Sequence, residues 1–288
     1  MDFKETWVIL ISTPLYAVLI GAEILFSTYH KNQKYSVRGT IENFYLMLLN
    51  IGIDILMRAF TLFILGYFFS MKVMQIEHVF LYWFILLILE DFMFYWLHYL
   101  DHYVRLFWAV HVTHHSSEEF NLTVGFRSSV FQPLYRFMFF IPIAWLGFEP
   151  MDIMLMYSIT QIYGILIHTQ YVGKLGFLEY VFATPSNHRV HHGSNVAYLD
   201  KNMGMVFIFW DRLFGTYQAE EEEVVYGLTT NIPDHLPSTV VFHEWKSIWQ
   251  DVKNAPDLRA KLGYIFGPPG WSHDGSRKTS EQLRAELK

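Results

Sequence analysis

The chain has 288 residues, of which 52% are apolar, 18% aromatic and only 17% charged, with a net charge of −6 and no cysteine. Soluble domains carry roughly 25% charged residues, so this balance points to a membrane protein, and the acidic sum offers no basic surface for nucleic acid. The lack of cysteine excludes disulfides, thiolate metal sites and a cysteine nucleophile.

Apolar runs of about 20 residues are long enough to cross a bilayer. Three come early: Trp7 to Phe26, about Phe44 to Phe69, and Val79 to Leu97. The start, MDFKETW, lacks a basic segment and leads into an apolar run with no small-residue cleavage site, so no cleavable signal is expected. Two shorter runs, Phe131 to Phe148 and Ile153 to Ile167, meet at GFEPMD, where Pro150 forbids an unbroken helix. They read as a hairpin of tilted or partly inserted helices, or as one re-entrant unit. The expected fold is all-α, an integral membrane protein with about four to five hydrophobic helices.

Basic residues orient these spans. The loop from Ser27 to Thr40 carries Lys31, Lys34 and Arg38, whereas the loop from Ser70 to His78 carries only Lys72. The first loop should then be cytoplasmic. Both histidine-rich stretches, 98–127 and 168–217, return to that side and form a cytoplasmic helical cap, on a bacterial inner membrane or an ER-like one. Asp54 and Arg58 lie four apart in the second span and read as a structural charge pair facing other helices. The run EEEE at 220–223 reads as a solvated acidic face. The last forty residues read as loops plus a short polar helix. The expected divisions are an N-terminal helix and loop at 1–40, a histidine-box domain at 41–218 and a soluble tail at 219–288.

Fourteen histidines are present, and most fall into three boxes. HYLDH holds His98 and His102; HVTHH holds His111, His114 and His115; HRVHH holds His188, His191 and His192. Helical residues three and four apart share a face, so each box should project its imidazoles one way. Ser116 to Glu119 form a capping-box pattern that should end one helix and start the next. Thr184 and Pro185 supply an N-cap and a first-turn proline for the third box, and Gly193 a stop. Eight clustered imidazoles are too many for one closed four-ligand site; they suit two metals a few ångströms apart. Imidazole binds Zn, Cu, Fe and Ni alike, so ligand type leaves the metal open. His168, at the end of the hairpin, is a ninth candidate ligand. His30, His78, His235, His243 and His273 read as ordinary hydrogen-bonded histidines. Asp91, Tyr95, His98 and His102 form one stripe on the third helix. Asp91 and Tyr95 are therefore candidates to support the ligands, Asp91 as partner to a ring's second nitrogen.

The three boxes, together with DFMFYWLH, TPSNHRVHHG and FWDRLFGTY, resemble the fatty acid hydroxylase/sterol desaturase superfamily of membrane di-iron enzymes. The resemblance covers roughly residues 40 to 218. Within it, LFWAVHVTHHSSEEFNLTVGFRSSVFQ is similar to the alkylglycerol monooxygenase branch. The resemblance implies a monooxygenase that hydroxylates an unactivated C–H bond of a lipid with O2, whether an alkylglycerol ether, a fatty acyl chain or a sterol-like substrate. It implies two iron ions held by His98, His102, His111, His114, His115, His188, His191 and His192, with His168 as the ninth. It also implies a separate electron donor, with tetrahydrobiopterin the candidate from that branch. Desaturation on the same core is the sister reading. A di-zinc hydrolase and a metal transporter are the other classes. The all-histidine ligand set argues against the hydrolase, and the position of the boxes beyond the spans argues against the transporter.

Overall fold

The computed structural model describes residues 3–287, and among the described residues the regular structure is helical, with no strand beyond two isolated β-bridges. Three long helices come first: α1 (Phe3–His30), α2 (Val37–Ser70) and α3 (Val79–Tyr103). Each contains a stretch long and apolar enough to cross a membrane. Their outward faces are greasy: Val18, Leu25, Leu56 and Phe63 are each about 70–80% exposed. Such faces are at home only in lipid; this is an integral membrane protein.

The helices outrun the apolar segments. At 34 residues α2 is about 50 Å long, well beyond a hydrocarbon core of about 30 Å. It starts at Val37, where the Ser36 hydroxyl accepts from the Gly39 N–H at 2.9 Å. α3 likewise continues past Leu97 to Tyr103, which places His98 and His102 on its last turns. A single extended residue, Val104, separates it from α4 (Arg105–His115).

The hairpin forms as α5 (Phe137–Leu146) and α6 (Pro150–Leu166). It begins later than expected, because residues 132–134, with Pro133 among them, form a 3-10 turn instead. At 10 residues α5 is about 15 Å long, half the hydrocarbon thickness. Gly147 makes the turn at φ +122°; a Cβ there would lie 2.2 Å from the Met74 carbonyl oxygen. Leu65, Leu86, Phe94, Phe140, Ile143 and Ile153 join α2, α3, α5 and α6 into one buried core. α1 packs on α6.

The remaining helices are α7 (Pro185–His191), α8 (Phe209–Phe214), α9 (Pro237–Asn254), α10 (Leu258–Phe266) and α11 (Ser280–Ala285). The C-terminal residues are more ordered than their sequence suggests. α9 buries Val240, Val241 and Ile248 and packs on α4. Buried Arg105 fastens it, donating to Glu244 (2.6 Å), Asp251 (2.6 Å) and Ser247 (2.8 Å).

Three local expectations change. No helix starts after Ser116: its hydroxyl turns back to the Thr113 carbonyl at 2.9 Å, and Glu119 accepts instead from the Ser36 N–H and the Asn121 amide. A remote backbone donor outcompetes the local capping pattern. Asp54 is held by Arg136, at the start of α5. Glu220 is no solvated acid; both its oxygens accept from Arg189 at 2.7 Å, tying the acidic run to α7.

Arg127 locks the base of α4 to α2. It is 1% exposed and donates to Thr113 O (2.7 Å), Ser116 Oγ (2.8 Å) and Asn43 Oδ1 (3.1 Å), beside Glu42 at 3.3 Å. Replacing it with Met strands these acceptors and the Glu42 charge. The expected cost is about 3–5 kcal/mol, read as a lowered thermal midpoint in detergent; an unchanged midpoint would contradict the role.

Candidate metal centre

Each box sits where helix geometry is enforced by the chain. The end of α3 carries His98 and His102, α4 carries His111, His114 and His115, and α7 with its C-cap carries His188, His191 and His192. α7 has the expected N-terminus: Thr184 and Asn187 form a reciprocal capping box, with Pro185 in the first turn. His168 lies just past α6.

All nine histidines come together. They form two groups, each with ligand nitrogens within 4.8 Å of one another: His98, His102, His111, His115 and His191, and His114, His168, His188 and His192. The sequence reading placed the members of a box on one face. The structure divides the second and third boxes between the groups. His111 and His115 serve the first and His114 the second; His191 serves the first, and His188 and His192 the second. Adjacent residues on a helix point about 100° apart, so each HH pair can reach into two neighbouring sites.

Four of the outer ring nitrogens are fixed by backbone carbonyls, which can only accept. Nδ1 of His98 donates to Met203 O (2.8 Å), His114 to Arg127 O (2.7 Å), His168 to Gly164 O (2.7 Å) and His191 to Lys201 O (2.9 Å). His102 Nδ1 lies 3.2 Å from Asp200 Oδ1, and His111 Nδ1 lies 2.8 Å from Ser129 Oγ. A neutral imidazole carries one proton. Rings anchored through Nδ1–H therefore present bare lone pairs at Nε2. His114 and His168 are both anchored in this way, yet their Nε2 atoms face each other at 3.4 Å with no proton to share. The Nε2 atoms of His102 and His191 are buried without a hydrogen-bond partner. Converging lone pairs repel, and buried acceptors left unsatisfied are costly. A cation in each group relieves both, so the donor set fits two metal ions.

Protonation is suppressed as well. Burial pushes the imidazoles of His111, His115, His168, His188, His191 and His192 well below their ordinary value, and neighbouring imidazoles push the same way. Burial also lowers His114, to about 4. Neutral rings are the form that binds metal.

Asp91 hydrogen-bonds no histidine ring, against the expectation, because backbone and indole N–H groups of a remote segment take its oxygens, and Tyr95 turns to the same segment. Asp91 accepts from Val206 N (2.7 Å), Phe207 N (3.1 Å) and Trp210 Nε1 (3.0 Å), and Tyr95 meets Thr216 Oγ1 at 2.9 Å. They clamp the segment 203–216, whose Met203 carbonyl orients His98. Asp211, absent from the sequence reading, completes this clamp by accepting from Met203 N, Gly204 N and Thr216 Oγ1. Three other acids were missed. Asp101 accepts from Gln132 and Tyr135 and lies 3.8 Å from His111 Nδ1; its signal was its place inside HYLDH. Glu23, in α1, accepts from Tyr35, Thr169 and Leu122 N beside His168; a lone acid in an apolar span was the signal. Asp200 carried no local signal.

The other histidines are ordinary. His78 caps α3, His243 bonds along its own helix, His273 meets Tyr264 and His235 sits near Glu42.

Residues 83–216 match the fatty acid hydroxylase family. The chain is 44% identical over 181 residues to human alkylglycerol monooxygenase, a match covering 63% of this chain and 40% of that protein. It is 40% identical over 189 residues to the alkylglycerol monooxygenase of Xenopus tropicalis, covering 66% and 42%. It is 30% identical over 133 residues to ornithine lipid hydroxylase OlsE of Rhizobium tropici, covering 46% and 40%. The chain thus spans about two fifths of the length of these relatives. No solved structure matches it.

The depressed imidazoles predict how the metal-free protein responds to acid. Unfolded histidine takes up its proton near pH 6.5, whereas folded His114 does so only at about 4. Between these values the unfolded state binds more protons, so stability rises with pH and is lost as pH falls from about 6.5 toward 4. Denaturant titrations of metal-free protein across that range should show the loss; a flat profile would contradict it.

Proposed function

We propose, from a chain whose residues 83–216 belong to the fatty acid hydroxylase family, that it is a membrane monooxygenase that hydroxylates a lipid C–H bond with O2. The observation carrying this is the convergence of nine imidazoles, five of which line a cavity of about 360 Å³. That cavity runs among the membrane helices: Val8 of α1, Ile51 of α2 and Ile162 of α6 line it, and His98, His111, His114, His168 and His188 reach it. A lipid tail entering between these helices meets the rings without leaving the bilayer.

His98, His102, His111, His115 and His191 would hold one iron, and His114, His168, His188 and His192 the other. When bound, two irons supply the O2 reduction that oxidising an unactivated C–H bond requires. The chain supplies the rest. The anchored Nδ1 nitrogens keep the rings in one tautomer and orientation. Phe94, Phe126 and Met205 line the chamber with apolar surface that excludes water and aligns the chain. Hydroxylation is favoured over desaturation because alkylglycerol monooxygenases and an ornithine lipid hydroxylase match at 30% identity or more, whereas two sterol desaturases match at 26% and 27%. A di-zinc hydrolase is not favoured. The substrate reading is an alkylglycerol ether or a related lipid. The electron donor reading is a separate reductant, with tetrahydrobiopterin the first to test. The basic loop of Lys31, Lys34 and Arg38 supports a cytoplasmic position for the boxes.

Elemental analysis of untagged protein should find about two irons per chain. His191→Ala and His168→Ala, one from each group, should each lower that content and abolish lipid oxidation. With isotopically labelled O2, mass spectrometry should find one labelled oxygen in the lipid product; zinc retained under iron-replete expression would sink the reading.

The cysteine-free chain also permits a clean topology test. A cysteine replacing Gln33 should be labelled from the cytoplasmic side and one replacing Gln75 from the opposite side. The reverse pattern would overturn the orientation.

A further inference from the structure

The C-terminal helices carry an amphipathic face that the metal centre does not use. On α9, Phe242, Lys246, Trp249 and Lys253 are spaced four, three and four apart and are all exposed. On α10, Leu258, Leu262 and Phe266 form a second exposed apolar stripe, flanked by exposed Arg259 and Lys261. Trp249 and Leu258 are each about 70% exposed. The two helices pack on each other. The three acids between 237 and 266 are engaged elsewhere: Glu244 and Asp251 accept from Arg105, and Asp257 caps α10. The four basic residues therefore set the charge of the outer face.

The anchors of these helices place the face near the membrane. Ser70 ends α2 on the side away from the histidine boxes. About 20 residues cross the hydrocarbon, so the near boundary falls around residue 50. α9 docks at that level: Val240 and Val241 are buried with Leu46 of α2, against Leu49, Ile53 and Phe131. Its stripe starts beside the same cluster, with the Phe242 ring centroid 5.9 Å from that of Phe131. Leu48, Ile51 and Ile55 on α2 are exposed and continue the apolar surface there. Along α3 the same count from Val79 ends near His98, and Arg105 follows just past the helix end. Arg105 holds Glu244 and Asp251 of α9, and its N–H donates to Gly267 O, just past α10, at 2.9 Å. Both helices are thus moored close to the bilayer boundary. α9 also walls a cavity of about 340 Å³ that reaches His102, His115, His191 and His192.

We propose that the α9–α10 face lies on the headgroup region of the protein's own bilayer and binds anionic lipid there. Interfacial helices bury Trp, Phe and Leu on one side and carry Lys and Arg at its margin, and this face has that composition. Aromatic rings favour the headgroup level, and basic side chains are drawn to the negative surface potential of anionic lipid. The residues at 219–288, read from sequence as a soluble tail, then include a membrane-bound surface. Held there, α9 steadies the wall beside His102 and His115. The inference is independent of the hydroxylase reading, since the reaction at the histidines enters none of its steps.

The cysteine-free chain allows single labels for the test. Trp249→Cys and Leu262→Cys put an environment-sensitive fluorophore on the face. Asn254→Cys puts it on an exposed residue of α9 turned about 140° from Trp249. A size-exclusion profile in detergent like that of the wild type checks that each variant folds. The full chain is reconstituted in phosphatidylcholine vesicles, with or without phosphatidylglycerol, with nitroxide-bearing lipid as the quencher. Emission from 249 and 262 should shift to the blue and be quenched, more strongly with phosphatidylglycerol present, while 254 stays unshifted. Combining Lys246→Gln, Lys253→Gln, Arg259→Gln and Lys261→Gln should abolish the gain from phosphatidylglycerol. Equal quenching at all three positions, no quenching at 249 and 262, or indifference to phosphatidylglycerol would overturn the assignment. A blue shift that rises instead with the protein-to-lipid ratio would give the face to a second copy of the chain and overturn it as well.

Discussion

The structure depends on one constraint: two ring nitrogens that both carry lone pairs and face each other inside a protein. His114 and His168 each spend their only N–H on a backbone carbonyl, and their Nε2 atoms then meet at 3.4 Å. Burial suppresses their protonation, so neither ring can relieve the contact alone. A cation satisfies both. The carbonyls of Met203, Gly164, Arg127 and Lys201 are thus as much part of the centre as the histidines, because they decide which nitrogen faces inward.

Those carbonyls come from segments that need anchoring, and buried charges provide it. Asp91 and Asp211 hold the segment that presents Met203 O. Arg127 holds Thr113 and Ser116 at the end of α4, while its own carbonyl orients His114. Arg189, between His188 and His191, reaches Thr169 O and Val172 O and closes on Glu220. Each charge would be costly alone at such depth. Paired and hydrogen-bonded, they hold ring positions that apolar packing would leave loose.

The membrane explains where the centre sits. Helices that must be apolar for about 30 Å can carry histidines only at their ends or beyond, and α3 does so by running past its apolar stretch. The cluster therefore lies between two solvents. An apolar cavity approaches it along the helices, and a polar one approaches it beneath α9 and α11.

The sequence by itself determined the helical class, the three long apolar helices and the candidate ligands. These are properties of local order: apolar length sets a span, and spacing of three and four sets a helix face. The eight box histidines were legible for that reason, as were the Thr184–Pro185 cap and the hairpin corner at Pro150, whereas His168 was legible only from its place at the end of the hairpin. Only the tertiary structure decided how the rings divide. His114 and His115 are neighbours in sequence yet serve different groups, because adjacent helical residues diverge and the partner rings come from α3, α6 and α7. Asp200 and Glu23 were illegible as supports because their partners lie 98 and 146 residues away. Asp91 was legible as an acid on the ligand stripe, but not its partners: in place of a ring nitrogen it meets Val206 N and Phe207 N, backbone groups 115 and 116 residues distant. Periodicity records which side chains share a face. It holds no record of which remote carbonyl will meet a ring, because that contact exists only once the helices have packed.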